Sequence, residues 1–482
     1  MRNLHSSIFL SLNVLISLLC GLPAQSQTDS LRARVDFPQI GQITPKHARD
    51  IQASPWSVGG ETLDRDFASY ENYKEYLGPL GVKMIRLQTG WAKTEQQPGV
   101  YDFRWLDAIV ADAVSQGVKP WLQLSYGNPA YRGGGEPALG GGIPTSEEAL
   151  AAWDHWVAMM VARYRDQTDV WEVWNESDLE RADVAPEAYA DLYIRTAEIV
   201  RDLQPDAHLY ALAIAFIDDT EYLEGFLRRL QEKDKLSLLD EITYHGYKMR
   251  PEDSYPLAER FKEVTARYAD SIRFRQGEQG APSTNIPRFA LNNHDWNEVS
   301  QTKWILRRML GDIGHDVPSL VFTMADLRYL LGEDGQDTVL NTKGLLATDY
   351  DLNVLRPKAS YYAVQHLASV IDQPVDTVPN FTFSSKAKEE ITAHAFRKPD
   401  GSEIVALWFS KEAPNKSLTT QKVEVTLGGM TFDEPVYVDL LSGKVYEIPA
   451  KNWQQKADGT VQFSKFPLLD LPVLITEKSA VL

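Results

Sequence analysis

The sequence predicts a (β/α)8 barrel followed by a small C-terminal antiparallel β-sandwich, and three observations carry that prediction. Eight short β-like runs alternate with amphipathic helical stretches through most of the chain. Two of those runs end in a glutamate, Glu176 and Glu278. Past about residue 372 the helical texture gives way to alternating, β-branched runs separated by Gly, Asp, Asn and Pro.

The β-like runs fall at 55–59, 83–88, 119–125, 169–175, 208–214, 240–245, 271–277 and 318–323. Strands joined by helices pair in parallel, and a closed parallel barrel carries its reactive residues at the C-terminal strand ends. Helical stretches include 149–164, with Thr145-x-x-Glu148 as its expected capping box, and Asp191 to Leu203. The Gly-rich stretch 133–142 reads as a long loop on the reactive face, after the third strand. A helix is expected at 359–372, then strands from Glu403 to Phe409, Lys422 to Leu427, Val436 to Leu441 and Val473 to Thr476. The barrel is therefore assigned to 46–372 and the sandwich to 373–482, with 27–45 as a linker or an extra sandwich strand.

Residues 1–26 read as an export signal. Arg2 supplies the positive start, Ile8 to Leu22 the apolar stretch, and Ala24-Gln-Ser26 a small-x-small cleavage site. The apolar run is shorter than the roughly 20 residues that span a bilayer, so a periplasmic or extracellular protein without a membrane span is expected. The only cysteine, Cys20, lies inside this segment, preceded by Leu19 where a lipoprotein signal favours a small residue. The exported chain would then hold no disulfide and no reactive thiol.

A formal charge of −18 and a pI near 5.0 argue against nucleic acid as a partner, since phosphate binding needs basic surface. The same balance mildly disfavours a strongly anionic substrate, although local cations can override a net field. The chain has 9 His and no His-x-x-x-His pattern, so neither a metal nor a cofactor is implied. The 12 Trp and 21 Tyr suit both a large core and the flat apolar surfaces that sugars lie against.

The chemistry concentrates in two strings, Trp171-Glu-Val-Trp-Asn-Glu176 and Gln276-Gly-Glu278-Gln-Gly280. A period of two places Glu172, Trp174 and Glu176 on one strand face, with Glu172 deeper and Glu176 at the lip. It likewise groups Ile272, Phe274, Gln276 and Glu278, then Thr243, His245 and Tyr247, and Met84, Arg86 and Gln88. Two carboxyls facing each other across a cleft are the usual machinery for breaking a glycosidic bond. Glu172 alone reads as a structural ion-pair partner, and Trp121 and Trp174 as packing.

Trp-Asn-Glu after strand four, Glu-x-Gly after strand seven, His-Gly-Tyr on strand six and an arginine on strand two resemble the clan A glycoside hydrolases. Within that clan the chain is most similar to glycoside hydrolase family 39, the β-xylosidase and α-L-iduronidase type, which also has a trailing β-sandwich. The resemblance implies a carbohydrate substrate, with Glu176 as general acid/base and Glu278 as nucleophile of a retaining enzyme. Asn175 would then bond the sugar 2-hydroxyl, Arg86 and Tyr247 would hold and orient Glu278, and His245 would lie near the same sugar. Two positions depart from the pattern. Asn-Glu-Pro is here Asn175-Glu176-Ser177, and the tryptophan often found after strand eight is replaced within Phe322-Thr-Met-Ala-Asp326. The sugar floor is therefore sought in Trp296, Trp91 or Phe322, with Tyr126 and Asn128 as further lining. Asn292, Asn293 and His294 belong to the same expected loop as Trp296. An exo-acting or endo-acting enzyme, or an inactive carbohydrate-binding barrel, all fit these residues, and no motif fixes the sugar, the linkage or the oligomeric state.

Overall fold

A computed structural model describes residue 31 and residues 33–286, 288–331 and 337–482; the expected export signal at 1–26 lies outside the described residues. Eight parallel strands form the barrel: Trp56–Gly59, Met84–Gln88, Lys119–Leu124, Val170–Val173, His208–Ile214, Glu241–Tyr244, Arg273–Gln276 and Ser319–Val321. Each lies within a few residues of its expected position, because most of the runs are apolar or β-branched and bounded by polar or turn residues. They pair in sequence order, and the eighth returns to the first through Trp56 opposite Ser319 and Val58 opposite Val321. The seam between strands seven and eight is crossed by Gln276 N–H to the Pro318 carbonyl (3.0 Å) and Phe322 N–H to the Gln279 carbonyl (2.7 Å).

The helices Arg104–Ser115, Glu147–Tyr164, Pro186–Leu203, Thr220–Glu232, Tyr255–Ala266, Glu298–Gly314 and Ala359–Val370 are among those that pack outside. The second corrects the expected cap. Ser146, not Thr145, takes the extended N-cap conformation and accepts a hydrogen bond from Ala149 N–H, while Thr145 is tied by its own N–H to the Gly133 carbonyl. That helix brings Trp153 and Trp156 against Trp91 and Trp174, a cluster with ring centroids 5.0–6.0 Å apart. Each such aromatic pair adds about 0.5–1.5 kcal/mol beyond the area it buries.

The C-terminal part is a sandwich of two antiparallel sheets. One has seven strands, with Val473–Glu477 between Pro435–Asp439 and Glu403–Phe409, and Gln39–Gln42 paired to Lys444–Glu447 at its edge. The other orders Thr382–Ser385, Gln421–Gly428, Val461–Leu468 and Trp453–Gln455. Alternation along Gln421–Gly428 buries Val423, Val425 and Leu427 against the partner sheet. Polar contacts also fasten sandwich to barrel: Arg307 forks onto Glu252 (2.8 and 2.5 Å), and Trp408 Nε1–H donates to the same carboxylate (2.7 Å). Among the described residues no helix is long and apolar enough to cross a membrane.

Candidate active site

Inside the barrel mouth the register sets one polar layer. Arg86 opposes Trp121, Gln123 opposes Glu172, and Thr243 opposes Arg275, so these side chains share the interior. Arg86 is fully buried and fully engaged. Its Nε–H donates to Glu172 (2.7 Å), Nη1–H to Glu61 (2.9 Å) and Nη2–H to Asn175 (2.7 Å). Burial opposes its charge, but Glu172, Glu61 and Glu278 together hold the guanidinium above its ordinary value. Gln123 and Thr243 complete the shell of Glu172 at 2.7 and 2.5 Å, so Glu172 is held by the structural network.

Strand alternation does not deliver the two key glutamates. Strand four ends at Val173, and Trp174, with φ of 65°, turns outward onto Trp153 and Tyr126. Glu176, itself at φ 51°, is held by its N–H on the Ala213 carbonyl (3.1 Å). Ala213 lies in a bulge of strand five, where register slips between Ala211 and Ile214, and bulges of this kind re-aim side chains beside functional sites. In strand seven the inward residue is Arg275, stacked over Tyr210 (5.4 Å), so Phe274 and Gln276 face outward. The expected grouping of Glu278 with them is therefore wrong: the strand ends at Gln276, Gly277 N–H still bonds the Tyr244 carbonyl (2.8 Å), and beyond it the alternation is lost, so that Glu278 meets Tyr247 in the mouth.

The two carboxylates nonetheless meet. One oxygen from each, with a ring nitrogen of His245, lie within 4.8 Å of one another. His245 Nδ1 is 2.7 Å from Glu176 and 3.9 Å from Glu278. Tyr247 O–H donates to Glu278 (2.7 Å), and Arg86 approaches the other oxygen at 3.6 Å. Burial lifts the Glu176 carboxyl to about 7, against the opposing pull of Arg86, Arg181 and Lys343. Burial also lowers His245 to about 4, so the imidazole is neutral near pH 7. A neutral ring donates Nδ1–H to ionised Glu176 or accepts from protonated Glu176, serving both forms of that residue. The trio is also a possible donor set for a cation, but Arg86 and Lys343 already bring positive charge to it.

A cleft of about 520 Å³ opens over the pair. Its apolar walls come from Phe216, Phe289, Phe322 and Tyr329, and Leu139 of the Gly-rich loop closes one side. Phe322 thus occupies the wall, whereas three expected lining residues do not. Trp91 is buried beneath Tyr131 and Trp156, with its Nε1–H on Glu95 (2.6 Å). Trp296 is buried with its Nε1–H on the Leu291 carbonyl (2.6 Å), and Asn128 braces the Glu95 carbonyl (2.8 Å). Each spends its polar atoms on the backbone or a neighbour and presents no face to the cleft. Tyr126 is also buried; its hydroxyl accepts from Asn175 (2.9 Å), so it fixes Asn175 from behind. His294 bonds the Pro414 carbonyl (2.7 Å), away from the glutamates.

Sequence reasoning missed Glu61, Lys343, Tyr329 and Arg181. Glu61 directly follows Gly59 and Gly60 at the end of strand one, a position the barrel rule could have flagged; burial raises its carboxyl, with Arg86 opposing. Lys343 and Tyr329 come from the hairpin Leu327–Leu331 with Asp337–Asn341 and the turn after it, for which no periodic signal exists. Arg181 sits in the loop after Glu176.

No family model matches the sequence, and no curated protein matches it. Solved structures do match in fold. A family 39 glycoside hydrolase from Bacteroides cellulosilyticus WH2 superposes with TM-score 0.62 at 17% identity, covering 88% of this chain and 80% of that one. The family 39 enzyme from Xanthomonas axonopodis pv. citri gives 0.58 at 15% identity, with 93% and 98% covered. A monomeric β-xylosidase from Caulobacter crescentus gives 0.56 at 16% identity, with 91% and 97% covered. The chain has the fold of the family 39 glycoside hydrolases, barrel and sandwich together.

Proposed function

We propose that this chain is a retaining glycoside hydrolase working by double displacement on a plant or algal polysaccharide or its oligosaccharides. The observation that carries the proposal is the approach of Glu176 and Glu278 to within 4.8 Å, oxygen to oxygen, at the floor of one cleft. Retaining enzymes hold their carboxyls about 5–5.5 Å apart, whereas inverting enzymes need about 6.5–9.5 Å for a water. Glu278, oriented by Tyr247 and Arg86, attacks the anomeric carbon as the glycosidic C–O bond breaks. Glu176 gives its proton to the departing oxygen, and its lifted proton affinity suits that task. The covalent glycosyl ester on Glu278 is then cleaved by water, whose proton returns to Glu176. His245 accompanies Glu176 through both protonation states.

The shared fold with family 39 enzymes supports the class of reaction, and the N-terminal apolar segment supports export to the periplasm or beyond. The test is Glu278→Ala supplied with azide. The variant should lose turnover, and azide should restore part of it as a glycosyl azide of inverted configuration. Unchanged hydrolysis in the variant would end the proposal.

A further inference from the structure

The cleft contains a cation that the protein itself leaves unanswered. Lys343 is 3% exposed, lines the cleft, and has no hydrogen bond or ion pair among the described residues. Its ammonium lies 4.2 Å from the centroid of the Tyr247 ring, within the field of Glu278 and Glu176 but bonded to neither. Burying an ammonium without a paired anion costs several kcal/mol, so such a group is retained where something charged arrives to meet it.

A second cation faces the same space. Arg181 lines the cleft and has no ion-pair partner among the described residues. It lies across the Gly-rich loop at Gly140, where φ is +74° and a Cβ would stand 2.0 Å from its Nε. Only glycine lets the arginine lie there. Lys248, by contrast, is already paired with Asp218 (3.0 Å). The cleft thus holds two cations without an ion-pair partner among the described residues, beside apolar walls, in a chain whose formal charge is −18.

We propose that Lys343, assisted by Arg181, forms an anion-recognising subsite, and that the substrate is a sugar bearing a carboxylate or sulfate group. The inference rests on the glycosidase reading of the same cleft. It makes Lys343 a specificity-determining residue, and it reverses the expectation that an acidic protein avoids anionic polymers: local charge overrides the net field.

The experiment uses the full chain carrying Glu278→Gln, titrated calorimetrically at low salt with two matched pairs of probes. One pair is a uronate-containing oligosaccharide and its carboxyl-reduced form; the other is a sulfated oligosaccharide and its desulfated form. The charged member of one pair should bind at least about tenfold more tightly than its neutral counterpart, and the pair that responds identifies the anion. Adding Lys343→Met should remove most of that ratio, and Lys343→Arg should keep it. Arg181→Gln, at an exposed position, should reduce it in part and serves if Lys343→Met does not fold. Equal affinity for charged and neutral members in both pairs, or no binding of either charged probe, overturns the proposal. So does a Lys343→Met effect of equal size on charged and neutral probes, the result for a lysine that merely balances the glutamates. Hydrolysis surviving in Glu278→Ala would instead overturn the double-displacement mechanism and leave a charge preference standing.

Discussion

Two buried arginines, Arg86 in the barrel mouth and Arg307 at the junction with the sandwich, hold networks of the same chemistry with different completeness. Arg307 meets Glu252 twice, the Glu412 carbonyl (3.0 Å) and the Ser410 carbonyl (3.3 Å), while Trp408 adds a further donor to Glu252. That network is closed. Around Arg86, the Glu61 Oε2 atom and His245 Nε2 have no hydrogen-bond partner among the described residues, and Glu278 stands off at 3.6 Å with a cleft above it. Closed networks hold elements together, whereas an incomplete one beside a cleft leaves capacity for a ligand. The difference separates an arginine that fastens two elements from one whose network borders an open cleft.

The largest effect that tests this contrast is in the mouth. Glu278→Ala should lower kcat/KM by about 10⁵-fold or more, the scale seen when a covalent nucleophile is removed, measured on whichever glycan the wild-type chain cleaves. Glu176→Gln should cost about 10²–10⁴-fold with a poor leaving group, the usual contribution of general acid catalysis, and much less with an activated aryl leaving group. At the junction the pattern reverses. Arg307→Met leaves Glu252 buried and unpaired, so unfolding free energy should fall by about 3–5 kcal/mol while kcat/KM of the folded fraction stays near wild type. A large kinetic loss without a stability loss in Arg307→Met would dissolve the comparison.

Finer predictions concern protons. Glu176 must be protonated to act as an acid, and its carboxyl is lifted to about 7, so kcat/KM should fall as pH rises through about 7. Arg181 is one of the cations that pull that value down. Arg181→Met should therefore move the alkaline limb to higher pH, by a few tenths of a unit because an exposed charge is screened. A shift to lower pH would contradict the assignment of Glu176 as the acid.

The barrel was legible because most strands are short apolar runs and most crossovers carry an amphipathic helix, signals local to the chain. Glu176 and Glu278 were found by their neighbours in sequence, yet the geometry that delivers them was not. A bulge at Ala213 and the end of strand seven at Gln276 override alternation, and neither is marked by a local pattern in the sequence. Trp91 and Trp296 were misplaced because an indole reads the same in sequence whether it faces solvent or core. Trp153 and Trp156, brought by the helix Glu147–Tyr164, bury the first. Lys343 was invisible because it lies in a turn after strand eight, where nothing periodic marks it. Its meaning comes only from what surrounds it.

The central claim, that Glu176 and Glu278 break a glycosidic bond in two displacements, is tested most directly by the anomeric configuration of the product at the moment of release. Proton NMR of a reaction followed from its first minutes should show the anomer of the substrate appearing first, with the other growing in only by mutarotation. First appearance of the opposite anomer would mean a single displacement by water and would contradict the account.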